Sequence, residues 1–208
     1  MPPTPAVAKT ALVLLAVAAV AAGCGGSSSS TTTSAPLTLN TGPAPWPSPD
    51  DVEQRVKAAN LPYDPFEHTE VHYHSHLDIF VNGQPEPVAP SIGREDRSFF
   101  SALHTHTTNG ALHIEAPAEQ LFTLGMLFTE WGVRLNPRCV GGYCKPATKI
   151  AAYVDGTLDT EPLPKIALRK GREIALVIGT PPATIPATWD CLANILSENP
   201  AECADFGQ

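Results

Sequence analysis

Between Glu70 and Val81 the chain alternates so regularly that only one local structure satisfies it. Val71, Tyr73, Leu77, Ile79 and Val81 fall on one side, and His72, His74, His76 and Asp78 on the other. Ser75 is the one small residue on the apolar side. A period of two belongs to a β-strand, whose successive side chains point to opposite faces; a helix would mix the two sets. Asn82-Gly83 follows at once and predicts a type I′ hairpin turn. Pro85, Pro87 and Pro90 weaken the return stretch and make it an edge strand.

A second hairpin is expected from Ser101–His106 and Ala111–Ala116 around Thr107-Thr108-Asn109-Gly110. With a four-residue loop, His106 faces Ala111 and His104 faces His113, with Glu115 continuing the same face. Directly opposed residues have Cβ atoms about 4.5–5.5 Å apart, so His104, His106 and His113 would share one patch. Leu124, Leu127, Phe128 and Trp131 make a helical stripe that Thr123 can cap and Gly132 can end. A shorter helix starts at Asp50 or Asp51, either of which can cap it, with Val52, Val56 and Ala59 at helical spacing. Strands are expected at Lys149–Val154 and Glu173–Ile178, with a turn at Asp155-Gly156 and a helical stretch near Asp190–Ser197. Hairpins plus one core helix imply an α+β fold, with an antiparallel or mixed sheet packed on a short helix in a β-grasp-like arrangement.

All seven histidines lie between His68 and His113, and five belong to H-x-H steps. On a strand such a step puts two imidazoles side by side at about 6–7 Å. Imidazole suits zinc and copper(II), and a tetrahedral zinc site needs three or four converging donors. The expected ligands are therefore His74, His76, His104, His106 and His113, with His104, His106 and His113 the centre and His74 and His76 the supporting strand. Asp78 and Glu115 would ligate, or accept the second ring N–H and orient a histidine. Copper(I) fits less well, since it prefers sulfur and Met126 is the one methionine beyond the first residue.

The amino terminus reads as a targeting segment. Lys9 precedes the apolar run Thr10–Val20, which is short for a membrane span, and Ala21-Ala22-Gly23 lead to Cys24. This resembles a bacterial lipobox in which Cys24 is acylated and becomes the first mature residue, although Ala21 stands where leucine is commoner; an ordinary signal peptide is the rival. Residues 24–50, rich in Gly, Ser, Thr and Pro, bury too little to offset their ordering entropy and are expected to be a flexible tether. With residues 1–23 the signal peptide, residues 51–208 are then one domain, held at the extracytoplasmic face of the cell membrane through the tether and the lipid on Cys24. The chain carries a net charge of −8 without a basic stripe, which excludes nucleic acid as a partner class. Nothing in the sequence identifies a protein partner.

Cys139, Cys144, Cys191 and Cys203 form an even set in an exported chain and read as disulfides. Gly141-Gly142 can turn Cys139 back onto Cys144, which would leave Cys191 for Cys203, but four cysteines allow three connectivities. A metal role for the C-x4-C step is the alternative.

The string from His74 to Gly83 (HSHLDIFVNG), Leu103–His106 through His113-Ile114-Glu115, and Phe122–Gly125 through Trp131-Gly132 together resemble the signature of a group of uncharacterised bacterial and archaeal exported or membrane-anchored proteins. The likeness covers most of residues 51–179 and implies a shared fold without an activity. Function therefore rests on the histidines. The expectation is a lipid-anchored metal-binding protein. One alternative is a zinc-dependent hydrolase or hydratase, because three histidines with an open fourth position turn bound water into a nucleophile. His104-x-His106 with His113 on the next strand is similar in arrangement to the zinc site of α-class carbonic anhydrases, whose surrounding sequence this chain does not share. Another alternative is a metal-free binding module whose exposed imidazoles respond to pH. No G-x-S-x-G or phosphate-binding glycine loop is present.

Overall fold

The apolar sides of the alternating segments and the stripe of one helix meet in the core of the fold, which we describe from a computed structural model covering residues 1–4, 37–96, 98–194 and 200–207. The expected signal segment, Cys24 and the expected tether up to residue 36 lie outside the described residues, except residues 1–4, which have no regular structure. Everything below concerns the unit Pro36–Gln208.

A short helix, α1 (Val52–Ala58), comes first. Asp51 stands at its N-cap position but makes no capping bond, because its carboxylate is taken by Arg55 one turn on. The main sheet then begins with β1 (Val71–Val81), β2 (Gln84–Glu86), β3 (Leu103–His104) and β4 (Ala111–Ala116). Helix α2 (Leu124–Trp131) follows, and β5 (Ile150–Val154), β6 (Thr157–Asp159) and β7 (Glu173–Ile178) complete the sheet. A last short helix, α3 (Cys191–Asn194), and a 3-10 turn at Pro200–Phe206 form the tail. The expected helical stretch there is described only over these segments.

The strand order is β6-β5-β7-β1-β4-β3, with β2 pairing β1 beyond the end of β4. β1 and β7 run parallel at the centre while the remaining pairs are antiparallel, so the sheet is mixed and β-grasp-like. Asn82 and Gly83 both have positive φ, at 51° and 81°, as a type I′ turn requires. Thr123 caps α2 by accepting from the Met126 N–H at 3.3 Å, and Gly132 closes it in the left-handed conformation. Leu124, Leu127, Phe128 and Trp131 are buried against Leu77, Ile79, Leu103, Leu112, Ile114 and the apolar side of β7. Both disulfides join the cysteines nearest in sequence, Cys139 to Cys144 and Cys191 to Cys203.

One boundary moves. The stretch from Asn40 to Asp50, expected to be part of the tether, belongs to the folded unit. Asn40 bridges to Val133, and its N–H donates to the Gly132 carbonyl at 2.6 Å. Trp46 is 3% exposed and sits edge-on to Phe128 and Trp131, while Trp131 Nε1 donates to the Pro47 carbonyl at 3.0 Å. Composition misled here because a single large aromatic ring anchors a segment that is otherwise loop-like. Replacing Trp46 by Ala is expected to cost about 3–5 kcal/mol, the range for emptying a buried aromatic site. Urea denaturation checks this; a loss below about 1 kcal/mol would show the segment to be dispensable.

Candidate metal centre

Strand register builds the site. His74 pairs with His113, and His113 with His104, so three imidazoles stand in one row across β1, β4 and β3. His72 pairs with Glu115 one step along the same face. Odd-numbered residues of β1 face the α2 core, so the even-numbered histidines face away from it.

That second face is covered. Trp189, Cys191, Cys203 and Phe206 from the tail pack on it around Ala111 of β4. Trp189 covers His76 and Asp205 meets His74, and His104 and His113 are buried as well, so the imidazoles at these four positions are not a solvated sheet face. His106 departs from the expected register. β3 ends at His104 because the Thr105 N–H donates to the Ile92 carbonyl at 3.1 Å, which takes the chain off β4. His106 therefore does not face Ala111; it begins the loop, and its ring folds back to 4.2 Å from that of His113. Gly110 returns the chain with φ 86°, where a Cβ would collide with the Leu77 carbonyl and His76.

Hydrogen bonds fix which ring nitrogens point inward. His104 Nδ1 donates to the Ser101 carbonyl at 2.8 Å, so in the neutral ring the Nε2 lone pair faces His106 Nε2 at 3.0 Å. Tetrahedral zinc with bonds of about 2.0–2.1 Å sets its donors about 3.3 Å apart, close to this separation. His74 Nδ1 lies 3.1 Å from Asp205, whose carboxylate also accepts from the His74 backbone N–H at 2.8 Å and from Lys170 at 3.0 Å. This turns His74 Nε2 toward His113 Nδ1, at 3.1 Å. Carboxylate and carbonyl oxygens behind the rings are the outer partners that orient histidine ligands in metal sites.

Donor atoms of His104, His106 and His113 lie within 4.8 Å of one another, as do those of His72, His74 and Glu115, and those of Glu67, His104 and Glu115. Burial and the neighbouring His113 push His104 down to about 3 and His74 to about 4, so both rings are neutral at pH 7 and able to ligate. Glu115 is held below the usual carboxylate range because its histidine neighbours outweigh burial. Among the described residues its ion-pair partners are His72 at 3.4 Å and His113 at 3.5 Å. Glu67 reaches His106 at 3.5 Å, and burial followed by the Glu115 charge raises its carboxyl.

His76 and Asp78, expected beside His74, form a separate group with Glu173. His76 Nδ1 meets Glu173 at 2.8 Å, Nε2 meets the Asn109 carbonyl at 2.7 Å, and the ring stacks 4.5 Å from Trp189. Burial opposes a charge on His76, but the Glu173 hydrogen bond and charge prevail and its pKa rises. Burial lifts Asp78 to about 6, with His76 pulling it back and Glu173 adding to it. His68 stands apart with Asp64 and Glu70.

Glu67, Glu173, Trp189 and Asp205 were missed by the sequence reading. The Cys191–Cys203 bond, spanning 12 residues, was the one available sign that the tail is fixed in place. Glu130 was also missed. It is fully buried on α2, carries a carboxyl pushed well up by that burial, and accepts from Ser101 Oγ at 3.0 Å, bracing the residue whose carbonyl holds His104.

Comparison with protein-family models, curated proteins and solved structures yields no match, so the site is interpreted from its own chemistry.

The neutral histidines make acid stability predictable in the metal-free protein. Their folded pKa values lie below the ordinary 6.5, so the unfolded chain binds more protons once pH falls under that value. Their stabilising contribution is complete above pH 6.5 and is lost as pH falls through about 4 and then about 3. His76, with its raised pKa, runs the other way and favours the fold below 6.5. Unfolding free energies measured in EDTA should decline from pH 6.5 to 4, less steeply in His104→Gln; an identical slope would place the acid sensitivity elsewhere.

Proposed function

We propose that this chain is an extracytoplasmic, lipid-anchored protein that binds zinc or copper(II) at His104, His106 and His113. The observation that carries the reading is the convergence of these three ring nitrogens within 4.8 Å, on rings whose burial and hydrogen bonding keep donors turned inward. A random polar face would not bury His104 and His113 side by side with His106 over them, since each buried ring needs a partner for what it loses in water. Borderline ions suit the nitrogen and carboxylate donors better than copper(I) does.

The two disulfides support an oxidising compartment. The anchor rests on the sequence around Cys24, and membership of the exported group rests on its motifs alone. Among the described residues no helix is long and apolar enough to cross a membrane.

One observation favours the hydrolytic alternative. His106 and Glu67 are 27% and 39% exposed, so the cluster opens to solvent on the side where the Glu67 carboxylate would serve as general base if a bound zinc supplied the activated water. CO2 hydration and ester hydrolysis by zinc-loaded protein test it, and activity surviving His104→Ala would exclude this site.

Elemental analysis of protein dialysed against metal-free buffer should find zinc or copper, and metal-stripped protein should take up either with submillimolar affinity or better. Absence of both sinks the reading. His104→Ala should abolish tight binding. Equal affinities for the wild type and this variant would mean that metal binds elsewhere.

A further inference from the structure

We infer that the histidine face is built for two metal ions, with Glu115 at the seam between them; this rests on the metal-binding reading above. The set His104, His106 and His113 and the set His72, His74 and Glu115 have no residue in common, yet each brings its three donors within 4.8 Å. Glu67, His104 and Glu115 form a third such set that links the other two. Together these are seven donors, more than one four-coordinate ion can use.

The sets also touch. His74 Nε2, from the second, is 3.1 Å from His113 Nδ1, from the first. One Glu115 oxygen, Oε1, lies 3.4 Å from His72 Nε2 and 3.5 Å from His113 Nδ1, so a histidine of each set flanks the same atom. A carboxylate in that position can serve two ions at once, and two-metal centres hold their ions about 3.5–4 Å apart. Its buried negative charge would then be met by cations. Asp205 behind His74 does for the second set what the Ser101 carbonyl does for the first.

The remaining cluster, His76 with Asp78 and Glu173, does not qualify. Both His76 ring nitrogens already meet oxygen acceptors, which a doubly protonated ring satisfies and a ligand with a lone pair does not. Among the six donors of the two separate sets His72 is the most exposed, at 39%. The second ion therefore enters and leaves from the solvent side and binds more weakly. Two imidazoles and a carboxylate suit a borderline divalent cation, zinc or copper(II).

The test is stoichiometry on the full chain, stripped with EDTA and titrated with zinc by calorimetry, with bound metal counted after desalting. The wild type should take two ions. His72→Ala, an exposed substitution that leaves the core alone, should take one with the tighter phase unchanged, whereas Glu115→Gln, at the seam, should lose the second ion and also weaken the first. With copper(II), the wild type should lose spin signal through coupling of neighbouring ions, and His72→Ala should regain an isolated single-ion spectrum. One ion in the wild type, unaltered by His72→Ala, overturns the two-ion centre while leaving the single centre intact. No bound ion overturns both.

Discussion

The central strand β1 is the constraint on which the rest depends. Its parallel pairing with β7 and antiparallel pairing with β4 bury it from both edges, so its two faces must each find a cover. The odd residues have α2 and the core. The even residues are largely imidazoles, which a purely apolar layer cannot cover without stranding their nitrogens. The tail solves this with mixed chemistry: Trp189 stacks on His76, and Asp205 meets both the backbone and the ring of His74. The Cys191–Cys203 bond lies within that layer and ties its two halves together.

The same face resolves its polar groups in two ways. At His76 every ring nitrogen has an oxygen acceptor and a neighbouring carboxylate balances the charge, so the group is complete in itself. In the row His74–His113–His104 nitrogen faces nitrogen, at 3.1 Å between the first two, and the ionised Glu115 has histidines for company. Two facing nitrogens share at most one proton, whereas a cation satisfies several lone pairs together. This contrast between neighbouring groups separates a structural histidine from candidate ligands more sharply than burial does, because both groups are buried.

How much of this was legible in the sequence follows from which forces are local. Strand parity, the Asn82-Gly83 turn, the Thr123 cap and the Gly132 stop depend on neighbouring residues, and each was readable from them. The opposition of His104 to His113 was readable too, since a hairpin loop sets its own register. His106 was misplaced because the chain leaves β4 to bond with Ile92, a partner that no pattern near His106 announces. Asp205 and Glu173 lie 131 and 97 residues from the histidines they hold, and nothing local could have signalled them. Trp46 was hidden by the composition around it, which is that of a linker.

The donor chemistry also narrows the ion. All four cysteines of the folded unit are tied in disulfides, so among the described residues no thiolate remains for a soft metal. Met126, on α2, packs against the opposite, apolar core. What converges on the histidine face is imidazole nitrogen and carboxylate oxygen, a set that zinc and copper(II) accept and copper(I) does not favour. Selectivity between those two falls to geometry. Rings fixed from behind by Ser101 and Asp205 cannot swing freely to suit whichever ion arrives. The 3.0 Å separation of His104 and His106 nitrogens lies between the about 3.3 Å edge of a zinc tetrahedron and the about 2.8 Å edge of a copper(II) square plane, so this pair accepts either ion and the choice falls to where the third and fourth donors stand.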